Sequence, residues 1–476
     1  MPVNDRPGPG STGGTGSTLI VVVRPGVVEA QVYEVARELG VEIEPLYRPR
    51  PRRRAPQVAR RRVEGGQPDP SWFYRVRAPQ ERLAGLVERL RQVDIFEGAY
   101  LKGPAELPVM GSDCPVVGAQ PPPVTPKFET RQGHLNKAPK GVGAKFAWKA
   151  SGGTGIDVQI IDVERAWHFL HEDLMSSIGG LVAGYPPADV HMEKHGTAVL
   201  GILAADRNAF GVSGVAPAGN VRAVSTFDAA GVEDTASAIM KAAAFLGAGD
   251  IMLLEMHRLG PPDYGTGTRY IPVEWWPDDF AAILWATGQG ILVFEAAGNG
   301  FSNLDDPLYD SAAPGFPGYW QNPFNRAIAD SGAILVGAGA PPVGSWGRDR
   351  SRLDFSNFGS MLDAQGWGRE VVTTGYGCLQ GGSDMSRWYT AEFGGTSGAL
   401  PMVAGAIACV QGRLAALGKV LLSPATARSL LRSTGSPQQS AISGAPVTER
   451  IGNRPDLRAM FRSLSLDSRP RKRRKR

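Results

Sequence analysis

Gly155-Ile156-Asp157-Val158-Gln159-Ile160-Ile161-Asp162 is a short run, rich in β-branched residues, that ends in an acid. Such a run reads as a buried parallel strand, and open α/β sheets carry their chemistry at the carboxyl edge, where Asp162 is expected to emerge. Asp157 lies too early in the same strand to reach that edge. Working outward, Ile251–Leu254, Ile291–Phe294 and Ala333–Val336 repeat the strand pattern, and they alternate with helical stretches from Glu233 to Leu246 and from Asp279 to Thr287. This alternation predicts an α/β fold, a parallel sheet covered by helices on both faces. No repeat at solenoid spacing competes with it. A chain of 476 residues with 42% hydrophobic content can bury a large core and should hold more than one domain.

Three further segments carry polar groups at the ends of elements. Phe393-Gly394-Gly395-Thr396-Ser397 leads into a small and apolar helix, so that Ser397 sits among the first helical N–H groups, which are free to face a developing negative charge. Pro401 is expected in the first turn of that helix, where it costs no hydrogen bond. Lys194-His195-Gly196-Thr197 opens a small-residue helix to Ala204, a setting that none of the other five histidines shares. Gly298-Asn299-Gly300 ends an apolar strand with an asparagine whose amide projects from a sharp turn. Taken singly these are an N-cap serine, a loop histidine and a turn asparagine. Taken with Asp162 they are a nucleophile, a base, an orienting acid and an oxyanion donor.

In the order Asp162, His195, Asn299, Ser397, the four segments resemble the subtilisin-like serine proteases, the subtilases, over residues 140 to 435. The resemblance implies that Asp162 orients His195, that His195 takes the proton of Ser397, and that Asn299 and the Ser397 N–H hold the oxyanion. Three positions depart from the family pattern. Val163 and Glu164 follow the aspartate where Ser or Thr and then Gly are usual, and Gly398 replaces the usual Met after the serine. The resemblance further implies that Leu254–Pro261, with Met256, His257, Leu259 and Gly260, pairs with the substrate backbone, while Ala296, Ala297 and Gly298 form the opposite wall of the cleft. The His257 side chain is expected to be exposed beside that cleft.

After a Gly/Ser/Thr-rich leader over residues 1–17, the chain reads strand Thr18–Arg24, helix Val28–Leu39, strands Val41–Tyr47 and Ser71–Arg77, helix Gln80–Val93 and strand Phe96–Leu101. This β-α-β-β-α-β order predicts a ferredoxin-like domain over 18–107. Placed before a subtilisin-like unit, it resembles the family's inhibitory, folding-assisting propeptide. A Pro-rich connection over 108–139 is long enough for a processing site, a catalytic domain is expected over 140–460, and a basic tail over 461–476.

Residues 48–62 contain eight arginines and residues 469–476 seven Lys or Arg; without them 36 basic residues face 46 acidic ones. The net charge of +5 therefore belongs to one loop and one tail, solvated segments that argue against a nucleic-acid-binding surface. Cys114, Cys378 and Cys409 cannot form a fully paired framework, and structural disulfides are not expected. Leu19–Val23 is too short for a signal core, which favours an intracellular location, whereas a propeptide-like unit points to export. No apolar stretch of about 20 residues predicts a membrane span. The chemistry requires no cofactor. Asp305, Asp306 and Asp310 form an acidic loop of the kind that holds calcium in the family, without a regular Asp-x-Asp-x-Asp-Gly pattern. The resemblance implies protein or peptide substrates as partners, and the chain's own N-terminal domain as an intramolecular inhibitor. The alternative function is a catalytically impaired relative that binds peptides.

Overall fold

The computed structural model describes residues 16–47, 68–109, 115–261, 269–441 and 446–466. The Arg-rich run over 48–62 and the basic residues 469–476 lie outside them. Strand β1 (Thr18–Val23), helix α1 (Glu29–Leu39), strands β2 (Glu42–Pro45) and β3 (Phe73–Arg77), helix α2 (Gln80–Leu90) and strand β4 (Phe96–Lys102) follow the expected order. They form an antiparallel sheet in the order β2-β3-β1-β4. Its strands alternate in the two-residue period that pleating imposes. Leu19, Val21 and Val76 pack with Val32 of α1 and Leu83, Leu86 and Leu90 of α2. Ile20, Val22, Phe73 and Tyr100 face the other way, into a cluster with Trp275, Trp276 and Phe316.

After β5 (Ala105–Glu106) and the short helix α3 (Ala144–Ala147) comes the larger layer: β6 (Gln159–Glu164), β7 (Ile178–Ala183), α4 (Val190–Ala204), β8 (Asn220–Ser225), α5 (Thr235–Ala243), β9 (Ile251–Leu254), β10 (His257–Leu259), β11 (Tyr270–Ile271), α6 (Pro277–Gly288), β12 (Leu292–Ala296), β13 (Ile334–Gly339), β14 (Ala364–Trp367), β15 (Val371–Thr374), β16 (Tyr389–Phe393), α7 (Thr396–Ala416), α8 (Pro424–Ser433) and α9 (Leu457–Ser463). Seven strands form one sheet in the order β14-β13-β12-β9-β6-β8-β7, with every pairing parallel. Ile160, Leu253, Phe294 and Val336 belong to the core beneath α4 and α7. Ile161, Leu254, Val293 and Leu335 belong to the core beneath α5 and α6. The sheet is therefore covered on both faces, as its run-like strands require.

Several boundaries differ from the sequence expectation. Phe128 and Leu135 are already part of the main core, so the stretch expected to end the connection belongs to the larger unit. Helix α9 crosses the expected start of the tail because Met460 and Phe461 are buried, with Phe146 set edge-on against Phe461 at 5.7 Å. Cys378 is disulfide-bonded, contrary to the expectation that disulfides play no part. Helix α7 is, among the described residues, the single helix long and apolar enough to cross a membrane by composition, and it is packed inside the core.

Candidate active site

Strand β6 decides which acid reaches the site. It continues past Asp162 because Val163 keeps its pairing with Val224 and Leu254, and Glu164 pairs with Ser225 as the last strand residue. Residues two apart in a strand share a face, so Asp162 and Glu164 both point to the side of Ile160, beneath α4 and α7. Glu164, one step of about 6.6 Å nearer the edge, receives Nδ1 of His195. Asp162 instead accepts Trp167 Nε1 at 2.8 Å, and its second oxygen has no hydrogen-bond partner. The expected contact of Asp162 with His195 is thus replaced by Glu164.

His195 lies inside α4 rather than at its start, since Asp189 caps the helix through the N–H groups of His191 and Met192. Its Nε2 is 2.9 Å from Ser397 Oγ, and its ring stands edge-on to Phe393 at 5.5 Å. Ser397 is the second residue of α7, after a Gly395 with φ of 84°. A side chain at 395 would be strained in that left-handed backbone and would also strike the Pro108 carbonyl oxygen. Gly398 suits its position, because a Cβ there would lie 3.1 Å from the Trp367 carbonyl oxygen. Pro401 falls beyond the first turn, and the N–H it lacks is the one that would reach the Ser397 carbonyl.

Asn299 is oriented by its own acceptor. Its Oδ1 takes Thr396 N and Thr396 Oγ1, each at 3.0 Å, which leaves the buried Nδ2 as an unpartnered donor beside Gly395. His257 is buried rather than exposed. Its Nδ1 accepts Asn299 N at 3.2 Å and its ring stacks on Tyr270 at 4.1 Å. Met256 and Ala297 line one cluster with Ala105, and Asn357 Nδ2 ties the Ala297 carbonyl at 2.6 Å. Ala296 is fully buried, Gly298 turns at φ of 92°, Leu259 pairs with Tyr270, and Gly260 donates to the Arg269 carbonyl at 2.9 Å.

The expected cleft holds the chain itself. Strand β5 pairs antiparallel with β10, Glu106 opposite His257 and Ala105 opposite Arg258. Two residues on, the Pro108 carbonyl accepts Ser397 N at 3.2 Å. Val109 N folds back onto the Leu107 carbonyl at 2.8 Å.

Burial dominates the electrostatics under this cover. It pushes Asp162 and Glu164 well above the usual carboxylate range, and Glu164's charge adds to the shift of Asp162. His195 is held down to about 3, chiefly by burial, with the Asp162 charge opposing. Sequence reasoning missed Glu255. It follows β9 on the same face, and burial, then the charges of Asp162 and Glu164, push it well up against the opposing hydrogen bond of the Ser397 side chain. The period-two pattern puts Glu164 on the face of Asp162 and Glu255 on that of Leu253, but how far each strand runs is set by its neighbours in the sheet. The acidic loop is already occupied: Asp305 accepts Ser360 N, Asp306 caps Leu308 N, and Asp310 accepts Asn322 Nδ2. Among the described residues no group of three or more His, Cys, Asp or Glu side chains is arranged for a metal ion.

Comparison with known proteins bears on the family and the fold. A family model described as the subtilase family matches residues 182–453. A calcium-dependent protease of Nostoc is 30% identical over 305 residues, 56% of this chain and 40% of its own. Subtilisin Savinase of Lederbergia lenta is 27% identical over 259 residues, 54% of this chain and 77% of its own. The epidermin leader peptide processing serine protease of Staphylococcus aureus shares the fold with a TM-score of 0.57 at 17% identity, over 96% of this chain and 100% of its own. The chain spans about 40% of the length of the calcium-dependent proteases it matches.

Proposed function

Since the chain belongs to the subtilase family of proteases, we propose that it is a serine endopeptidase made as a self-blocked precursor, whose first substrate is its own Pro108–Val109 bond. The observation that carries this reading is the Pro108 carbonyl on Ser397 N at 3.2 Å, beside the unpartnered Nδ2 of Asn299. Ser397 Oγ attacks the Pro108 carbonyl carbon and His195 Nε2 takes the hydroxyl proton. Negative charge on the carbonyl oxygen is met by Ser397 N–H and Asn299 Nδ2, a contribution of about 3 kcal/mol for each such donor. The carbon–nitrogen bond then breaks, His195 returns the proton to Val109 N, and water releases the acyl group from Ser397. Glu164 holds Nδ1 and balances the imidazolium. The N-terminal unit acts as inhibitor through β5 and the residues after it.

The name of the Nostoc relative raises calcium as a ligand for that protein; in this chain the proposed steps are carried by its own side chains and backbone. Expression of the full chain and of Ser397→Ala, with mass spectrometry of each, tests the proposal. The parent should yield fragments ending at Pro108 and beginning at Val109, and should be labelled by a fluorophosphonate probe. Ser397→Ala should stay intact and unlabelled. An unlabelled parent would mark the chain as an impaired, peptide-binding relative, and a cut Ser397→Ala chain in a protease-free preparation would rule out self-processing.

A further inference from the structure

A peptide laid along β10 has two edges, and β10 pairs with only one of them. In an antiparallel pair, the N–H and C=O of one residue point to the same side. Those of Ala105 point away from Arg258, its partner on β10, and would be left on a bare edge. Two charged side chains meet them. Ala105 N donates to Glu233 Oε2 at 3.2 Å, and Arg165 Nη2 donates to the Ala105 carbonyl oxygen. Arg165 and Glu233 also bind each other, Nε to Oε1 at 3.1 Å and Nη2 to Oε2 at 3.2 Å. Thr226 Oγ1 donates to Glu233 Oε1 at 3.2 Å, and the Arg165 guanidinium lies 5.9 Å from the Phe227 ring centre. The pair is thus held in place by the larger unit and needs nothing from the occupant beyond a main chain. Between this point and Ser397, Leu107 packs against Ala166, Met192 and Phe227, which fixes the register of the segment.

We propose that Arg165 and Glu233 form a charge-paired clamp that grips both backbone groups of the substrate residue three positions before the one whose carbonyl is attacked, taking the place of a second flanking strand. The proposal rests on the protease reading above. The clamp recognises an extended peptide of at least four residues before the cut, with no demand on the side chain it grips. Arg165 and Glu233 are positioning residues: neither contacts the reacting atoms.

The test uses the self-processed enzyme and two chromogenic peptides that release the same group after proline, one carrying acetyl-Ala-Glu-Leu-Pro and one carrying acetyl-Leu-Pro. The ratio of their kcat/KM values isolates the clamp, since any effect of Arg165 on the neighbouring Glu164 cancels. The ratio should fall about tenfold in Arg165→Met and in Glu233→Gln, the loss expected for one charge-assisted hydrogen bond. Methylating the alanine nitrogen of the longer peptide should reduce the parent's ratio similarly and add little to the loss in Glu233→Gln. Ratios equal to the parent's in both variants would overturn the clamp. Hydrogen exchange of the Ala105 amide in the uncut Ser397→Ala chain judges it separately from catalysis. Exchange there should speed up about tenfold or more with either clamp substitution, and unchanged exchange would overturn the clamp. Failure of the parent to cut either peptide would reject the protease reading, while the exchange result would still decide the clamp.

Discussion

At the scale of single residues, the distinctive feature is the acid beside His195. Glu164 meets Nδ1, and Asp162 serves Trp167 from the same strand face. Glu164→Gln keeps a side chain of the same length while removing the charge that balances an imidazolium, and should lower kcat by about 10,000-fold, the scale known for an orienting carboxylate changed to its amide. Asp162→Asn retains an oxygen to accept Trp167 Nε1 and should lower kcat far less. Steady-state kinetics on the two variants decides between the acids: a larger loss in Asp162→Asn than in Glu164→Gln would return the orienting role to Asp162.

At the scale of elements, β4 and α6 share a buried charge cluster. Lys102 of β4 places Nζ between Asp278 and Asp279 at the start of α6, Tyr100 donates to Asp278 at 2.8 Å, and Arg258 of β10 supports Asp279. Lys102 is held above the ordinary lysine value by these two carboxylates in spite of its burial. Arg75 and Arg77 of β3 add a second set of bonds, both reaching Asp228 at 2.9 Å. Removing one member of a buried ion pair strands the rest without water, at a cost of about 3–5 kcal/mol. Lys102→Ala in the uncut Ser397→Ala background should therefore lower stability in urea by that amount. A loss below about 1 kcal/mol, the range of exposed ion pairs, would mean that the cluster is solvated and does not hold the N-terminal unit.

At the scale of the whole molecule, the N-terminal unit covers the site as well as filling the cleft, and burial is the first cause of His195's low value. In the covered, uncut Ser397→Ala chain, His195 should stay neutral down to about pH 3 when followed by NMR, the value it holds under cover. After processing, water returns and the group should move back toward the ordinary histidine value of about 6.5. The neutral imidazole is the base, so activity is present above that ionisation and lost as pH falls through it. The acid limb of kcat/KM in the processed enzyme should lie well above pH 3, and it belongs jointly to His195 and Glu164. A limb unchanged from the covered value would show that the larger unit alone sets it.

The sequence by itself determined the α/β layering, the order of the N-terminal elements and the segments that carry His195, Asn299 and Ser397, because period-two runs, glycine-flanked turns and a small-residue helix are local signals that few structures satisfy. Strand length was not local. Whether β6 ended at Asp162 or ran on to Glu164 depended on Val163 finding Val224 and Leu254 as neighbours, and that pairing exchanged one acid for the other at His195. Glu255 was hidden for the same reason, since its face is fixed by β9 lying between β6 and β12. His257 looked exposed in a polar-flanked stretch, yet Tyr270 covers it from a strand that pairs with its own. Arg165, Glu233 and Ala105 come from three separate parts of the chain, and only the docking of β5 on β10 brings them together. Chemistry carried by one segment was legible; chemistry assembled across segments was decided by tertiary pairing, which fixes direction and distance that no single stretch encodes.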